Sequence, residues 1–225
     1  MSIEKKIIAI IPVYNEVDKI YNTVISVKKV PLINKIIVVD DGSNDGTIEK
    51  VKDLDIDIIV LDKNYGKGHA IKVAIQNLDF DYLVLLDGDL GFSAIEVSKL
   101  IYPVIENKAD FTIAKFGNNK KGGIGLVKKL AKFGVYFFTG KMIKASLSGQ
   151  RVYKKEVIKD ISYIPNNYGI EVAMTISALN KGYKLLEIDV DMSHRETGRD
   201  LSGFIHRGKQ FIDILFTLFV MFFRR

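Results

Sequence analysis

The chain contains no cysteine, which excludes disulfides and thiolate metal sites. It has no apolar run of the ~20 residues that a membrane-spanning helix needs. Its greasiest segment, Ile214 to Phe223, is broken only by Thr217 and closed by Arg224 and Arg225. Met1-Ser2-Ile3-Glu4-Lys5-Lys6 runs directly into an apolar strand, which leaves no room for a signal peptide and gives the expectation of a cytoplasmic protein. No G-x-G-x-x-G follows that strand, and the glycine loop at 64–69 is not a Walker sequence, so dehydrogenase and ordinary kinase readings lose ground. Acid is missing from one long stretch: Phe111 to Lys155 holds no Asp or Glu but ten lysines and Arg151.

With 225 residues, 48% hydrophobic, the chain is long enough for one α/β domain with a sizeable core. A net charge of +6 calls for an anionic partner. Apolar runs at Ile7–Ile11, Ile36–Val39, Ile56–Leu61 and Tyr82–Leu86 alternate with helical patterns, which predicts a mostly parallel, doubly wound sheet. Pro12 is expected to end the first strand and Asn15 to cap the helix through Ile20, Val24 and Val27. Ser93-Ala94-Ile95-Glu96 reads as a capping box for a helix running to about Glu106.

The central stretch is Tyr82-Leu83-Val84-Leu85-Leu86-Asp87-Gly88-Asp89. It places two carboxylates at the carboxyl end of a buried strand, where open α/β sheets bind ligands. Gly88 lets backbone approach a ligand, and hard oxygen ligands suit Mg²⁺ or Mn²⁺ bridging to a diphosphate. A polar turn is the plainer reading of Asp-Gly-Asp alone. Tyr14, Asp41, Lys67, Asp87 and Asp89 all follow strands, however, and so converge on one sheet edge. An aromatic, carboxylates and a cation site there suit a nucleotide.

These residues carry a resemblance. Ile11-Pro12-Val13-Tyr14-Asn15-Glu16, Val38 to Thr47, Asn64-Tyr65-Gly66-Lys67-Gly68 and Asp87-Gly88-Asp89 are similar, in order and spacing, to successive signatures of family 2 glycosyltransferases. The resemblance implies a Rossmann-like GT-A fold and a nucleotide-diphosphate sugar donor, UDP- or GDP-linked. It places Pro12, Tyr14, Glu16 and Asp41 at the nucleoside and Lys67 near the base or phosphates. It also puts Asp87 with Gly88 near the ribose, and Asp89 on the metal.

The second half bears on the acceptor. Residues 1–200 are expected to form the transferase domain, with a donor half at 1–115 and an acceptor half at 116–200. Residues 201–225 are expected to form an amphipathic to hydrophobic C-terminal helix. Lys128, Lys129 and Lys132 fall on one helical face and Leu126, Leu130, Phe133 and Phe137 on another, a pattern suited to an anionic membrane surface or to plain core packing. No nucleic-acid-reading motif accompanies the charge. The C-terminal helix would touch the inner face of the cell membrane, pair with another copy or pack on the domain. Ser148-Gly149-Gln150-Arg151-Val152-Tyr153 resembles a loop and strand of polyprenyl-phosphate glycosyltransferases such as dolichol-phosphate mannose synthases, which usually carry another residue at Gln150. Arg151 would pair with a phosphate or anchor a loop.

Tyr168-Gly169-Ile170-Glu171-Val172 and His194 resemble glucosyl-phosphoglycerate synthases, which implies Glu171 facing the acceptor and His194 as a metal ligand. Arg195 or Arg199, in a polar loop, would neutralise the leaving diphosphate. A lipid phosphate acceptor is already ionised, whereas a hydroxyl needs a base such as Glu171 or Asp87. The favoured reading is a metal-dependent hexosyltransferase to polyprenyl phosphate. Transfer to a small phosphorylated acid, and a non-catalytic sugar-nucleotide binder, are the alternatives. Family 2 enzymes generally invert the anomeric centre and the phosphoglycerate enzymes retain it, so stereochemistry stays open.

Overall fold

The computed structural model describes residues 5–117, 125–193 and 201–224. Seven strands form one sheet: β1 (Ile7–Val13), β2 (Lys35–Asp40), β3 (Asp57–Val60), β4 (Tyr82–Leu85), β5 (Phe111–Phe116), β6 (Arg151–Lys154) and β7 (Leu185–Val190), in the order β3-β2-β1-β4-β6-β5-β7. Every residue of β1 and β4 is buried, as their unbroken apolar sequences require of strands covered on both faces. The helices are α1 (Ile20–Lys28), α2 (Lys67–Ile75), α3 (Ser98–Ile105), α4 (Leu126–Thr139), α5 (Lys155–Asp160), α6 (Ile170–Asn180) and α7 (Leu201–Phe223). Ile8, Ile10, Leu83 and Leu85 face the cluster built by α2, α4, α5, α6 and α7. Ala9, Ile11 and Val84 face the one built by α1 and α3. This is the expected α/β architecture, with one exception: β6 runs antiparallel between β4 and β5.

Pro12 ends one ladder and not the other. It sits inside β1, in register with Val39. The bonds Asp41 N–H to Val13 O (2.9 Å) and Leu86 N–H to Ile10 O (3.2 Å) show odd residues turned to β2 and even ones to β4. Its missing N–H therefore faces β4, whose pairing with β1 stops at Ile10–Leu85. Strand β4 is thereby released into the Asp87 loop while β1 continues beside β2.

Two expected helix caps are absent. Asn15 does not cap α1; at φ +55° it joins neighbouring loops, donating its N–H to Ser43 Oγ and accepting Asn44 N–H at Oδ1. Ser93 and Glu96 do not form a capping box. Gly91–Val97 is a 3-10 segment, and these two side chains accept the N–H groups of Ser193 (3.0 Å) and Asp191 (3.1 Å) after β7. A long-range backbone partner thus displaces the local one.

The Asp87 loop is supported from beneath by α1. Thr23, fully buried, donates to Gly88 O (2.7 Å) and accepts Gly91 N–H (2.8 Å). Thr23→Val keeps the shape but leaves both backbone groups unsatisfied, so we expect a loss of about 1–3 kcal/mol in urea denaturation. A loss under half that would show that water replaces the hydroxyl.

Candidate active site

The carboxyl ends of β1, β2 and β4 lie together, and the crossovers diverge between β1 and β4. The loops after β1 and β2 are stitched to one another. Glu16 N–H donates to Thr47 Oγ1 (2.9 Å) and Val17 N–H to Asp45 Oδ2 (3.1 Å). Burial works against the Asp45 charge, but hydrogen bonds from Thr47 and the Val17 N–H outweigh it and hold its carboxyl below the usual range. Tyr14 stands half in solvent beside this seam. Asp41 is 3% exposed, and its oxygens accept the N–H groups of Tyr65 (2.8 Å) and Gly66 (2.7 Å). It holds the glycine loop, which delivers Lys67 at the start of α2.

Lys67 is the meeting point of the two halves. Its Nζ lies 2.6 Å from Asp87 Oδ1 and 2.8 Å from Glu171 Oε1. Burial disfavours the ammonium, but the charges of Asp87 and Glu171 outweigh that penalty and raise its pKa above the ordinary lysine value. It therefore remains a cation throughout ordinary pH. Glu171, in the first turn of α6, is the one residue of 170–179 that is not buried.

The wall opposite is the run Ser148-Gly149-Gln150-Arg151. A side chain on Gly149 would put Cβ 2.4 Å from Lys67 Nζ and 2.7 Å from both Asp87 oxygens, so any Cβ there would displace the ion pair. Gln150 Nε2 donates to Asp87 Oδ2 at 2.7 Å.

Arg151 does not face a phosphate. It is 1% exposed. Its guanidinium donates to Ser148 O (2.6 Å), Ser146 O (3.0 Å), Glu171 O (3.0 Å), Thr175 Oγ1 (2.9 Å) and Tyr153 Oη (3.0 Å). The expectation of a phosphate ligand gives way to the loop anchor, because these acceptors occupy the fork. At Gly88 a Cβ would lie 2.6 Å from Val13 Cγ1, so its bareness also serves packing on β1. Pro12 is buried in the ladder.

Asp89 is half-buried after β4, with Oδ1 turned inward. Among the described residues no three potential ligands cluster, and Asp87 is engaged by Lys67 and Gln150. Asp89 carries the hard oxygen donors that such a cation takes. His194, Arg195 and Arg199 lie outside the described residues. Sequence reasoning missed Gln150 and Thr23. The resemblance flagged Gln150 as unusual, but no local signal marked Thr23.

Comparison with known proteins gives the family and the fold. Residues 8–161 match the model for glycosyl transferase family 2, and the chain belongs to that family. It is 25% identical to Glycosyltransferase AglJ of Haloferax volcanii over 84% of this chain, and spans 63% of that relative's length. It is 29% identical to a UDP-N-acetylglucosamine–dolichyl-phosphate N-acetylglucosaminyltransferase of Methanococcus voltae, over 71% of this chain and 73% of the relative. Its fold matches glucosyl-3-phosphoglycerate synthase from Mycobacterium tuberculosis, solved with Mn²⁺, UDP and phosphoglyceric acid. That match has a TM-score of 0.78 at 20% identity, over 95% of this chain and 78% of the other. The protein is therefore a GT-A-type glycosyltransferase.

The Lys67 bridge generates a test. Lys67→Met leaves two carboxylates facing each other and should cost about 1–3 kcal/mol, discounted because roughly a third of the lysine and of Asp87 remains wet. Adding Glu171→Gln should recover part of it. In a double-mutant cycle by urea denaturation, strictly additive losses would show that Lys67 and Glu171 do not interact.

Proposed function

We propose that the chain transfers a hexose from a UDP- or GDP-sugar to a polyprenyl phosphate at an anionic membrane surface. The observation that carries the acceptor side is the outer face of α7 and α4. On α7, Ile214, Thr217 and Met221 are buried against the domain, and Leu218 sits over Gly134 of α4. The opposite stripe, Ile212, Leu215, Phe216, Phe219, Phe222 and Phe223, is exposed. On α4 the buried side is Ala131, Gly134, Val135 and Phe138. Leu126, Phe133 and Phe137, expected to form an apolar face, are themselves exposed, as are Lys128 and Lys129. Greasy aromatics beside lysines suit a helix lying in an interface, each lysine adding ~1 kcal/mol toward anionic lipid. Among the described residues, no helix is long and apolar enough to cross a membrane. The Methanococcus relative, a dolichyl-phosphate N-acetylglucosaminyltransferase, supports the same acceptor class.

On the donor side, Tyr14 and Glu16 line the nucleoside end, with Asp41 shaping the pocket through the glycine loop. Asp87 orients the ribose and Lys67 neutralises phosphate charge. Asp89 holds Mg²⁺ or Mn²⁺, with His194 as second ligand, in keeping with the Mn²⁺ and UDP of the structural relative. The cation supplies Lewis-acid stabilisation of the departing diphosphate. Arg199 adds positive charge there. An ionised lipid phosphate attacks without a base.

A second reading is transfer to a small phosphorylated acid. It is favoured by Glu171, a second carboxylate 2.8 Å from Lys67 Nζ, and by the phosphoglyceric acid of the structural relative.

Labelled UDP- and GDP-sugars with Mn²⁺ or Mg²⁺ should pass label to polyprenyl phosphate in detergent, extractable into organic solvent. Asp89→Ala should lower the rate about a hundredfold. Label in a new aqueous anion when phosphoglycerate is supplied would favour the second reading. Donor binding without transfer to either would make the chain a binder rather than an enzyme. Independently, the protein should sediment with vesicles containing phosphatidylserine, and Phe216→Glu with Phe219→Glu should abolish this. A concentration-dependent dimer lost in the same variant, without vesicle binding, would assign the stripe to a second copy.

A further inference from the structure

We infer that Gln150 and Arg151, adjacent residues at the start of β6, are positioning residues that act on opposite sides of the reaction. Gln150 sets the donor-side carboxylate Asp87, and Arg151 sets the turn carrying Glu171. This rests on the glycosyltransferase reading above.

Both side chains are almost wholly buried, and buried polar groups persist only where they are satisfied. Gln150 is held at both ends. Its amide donates to Asp87 Oδ2 at 2.7 Å, while its carbonyl accepts Ser148 Oγ at 3.2 Å. Its backbone O accepts Ala114 N–H (2.9 Å), pinning it to β5. With Lys67 on Oδ1, both Asp87 oxygens are fixed, so the carboxylate plane cannot rotate. Gln150 therefore determines how Asp87 meets a ribose.

Arg151 works elsewhere. It reaches the main-chain O of Glu171 (3.0 Å) and Thr175 Oγ1 (2.9 Å), and Thr175 Oγ1 itself donates to the same Glu171 O at 2.7 Å. Two donors thus converge on one carbonyl in the first turn of α6. The guanidinium also takes the carbonyls of Ser146 and Ser148, fixing the preceding loop to that turn. Arginine's rigid fork suits this; a lysine would supply charge without the fork. The distances from Arg151 end on the Glu171 backbone, so its effect on Glu171 is positional.

The test uses the whole chain and the variants Gln150→Met, Thr175→Val and Arg151→Lys. UDP and GDP are titrated in the presence of Mn²⁺, and turnover is read as sugar nucleotide consumed with polyprenyl phosphate and, separately, with phosphoglycerate present. Gln150→Met should weaken nucleotide binding about tenfold, the scale of one charged hydrogen bond. Thr175→Val and Arg151→Lys should leave nucleotide Kd within about twofold and lower turnover about tenfold with phosphoglycerate, whose hydroxyl needs Glu171 as base. Thr175→Val, the mildest change, covers the case in which Arg151→Lys does not fold. Unchanged Kd in Gln150→Met overturns the assignment, as does equal weakening by all three variants, which marks a general scaffold role. Failure of the unmodified chain to bind either nucleotide overturns the donor-site reading itself.

Discussion

The site depends on one ammonium group held between two carboxylates. Lys67 comes from the start of α2, Asp87 from the end of β4 and Glu171 from the start of α6, 104 residues further along the chain than Lys67. Remove the cation and the carboxylates repel in a partly buried setting, where charges act on one another more strongly than in open water. The surrounding residues follow from this constraint. Asp41 holds the glycine loop so that Lys67 enters at the right height. Gly149 stays bare because the ion pair occupies the space a Cβ would take. Gln150 takes the Asp87 oxygen that Lys67 leaves over.

The first half of the chain was legible because its signals are local. Strands β1, β2 and β4 are apolar runs ending in polar loops, and α1 and α2 follow β1 and β3 after short loops. Position after a strand is enough to place Tyr14, Asp41, Lys67, Asp87 and Asp89 on one edge. What the sequence hid is what depends on distant backbone. Strand β6, Arg-Val-Tyr-Lys, is too short to show a period, and its antiparallel insertion between β4 and β5 has no local mark. Ser93 and Glu96 look like a capping box but serve the segment after β7. Arg151 looks like a phosphate ligand because exposed arginines so often are. Its burial is decided by five acceptors from 146 to 175 that only the tertiary fold assembles.

The C-terminal region shows the limit of a helical wheel. On α4, the residues that the sequence pattern groups as apolar are largely outside, and the smaller Ala131, Gly134 and Val135 lie inside. Small residues win the inner face because α7 must pack closely there, Leu218 filling the place of a Gly134 side chain. Phe133, Tyr136 and Phe137 are turned outward. Hydrophobicity alone identifies which residues avoid water; it does not say which of two apolar faces another helix will choose.

The reversal of β6 explains how one short segment reaches both Asp87 and α6. In an all-parallel sheet every strand offers its carboxyl end to the ligand edge, and the residues there are loop residues. An antiparallel strand offers its amino end instead. Strand β6 begins beside Leu85, where β4 ends, so Ser148 to Arg151 enter the site just before their backbone joins the ladder. Residues anchored by a ladder on both sides are more rigid than those on a free loop. Successive side chains of a strand point to opposite faces. Gln150 and Arg151 therefore diverge to Asp87 and to α6, and β6, the one antiparallel strand among the described residues, supplies the fixed frame against which Asp87 and the turn carrying Glu171 are set.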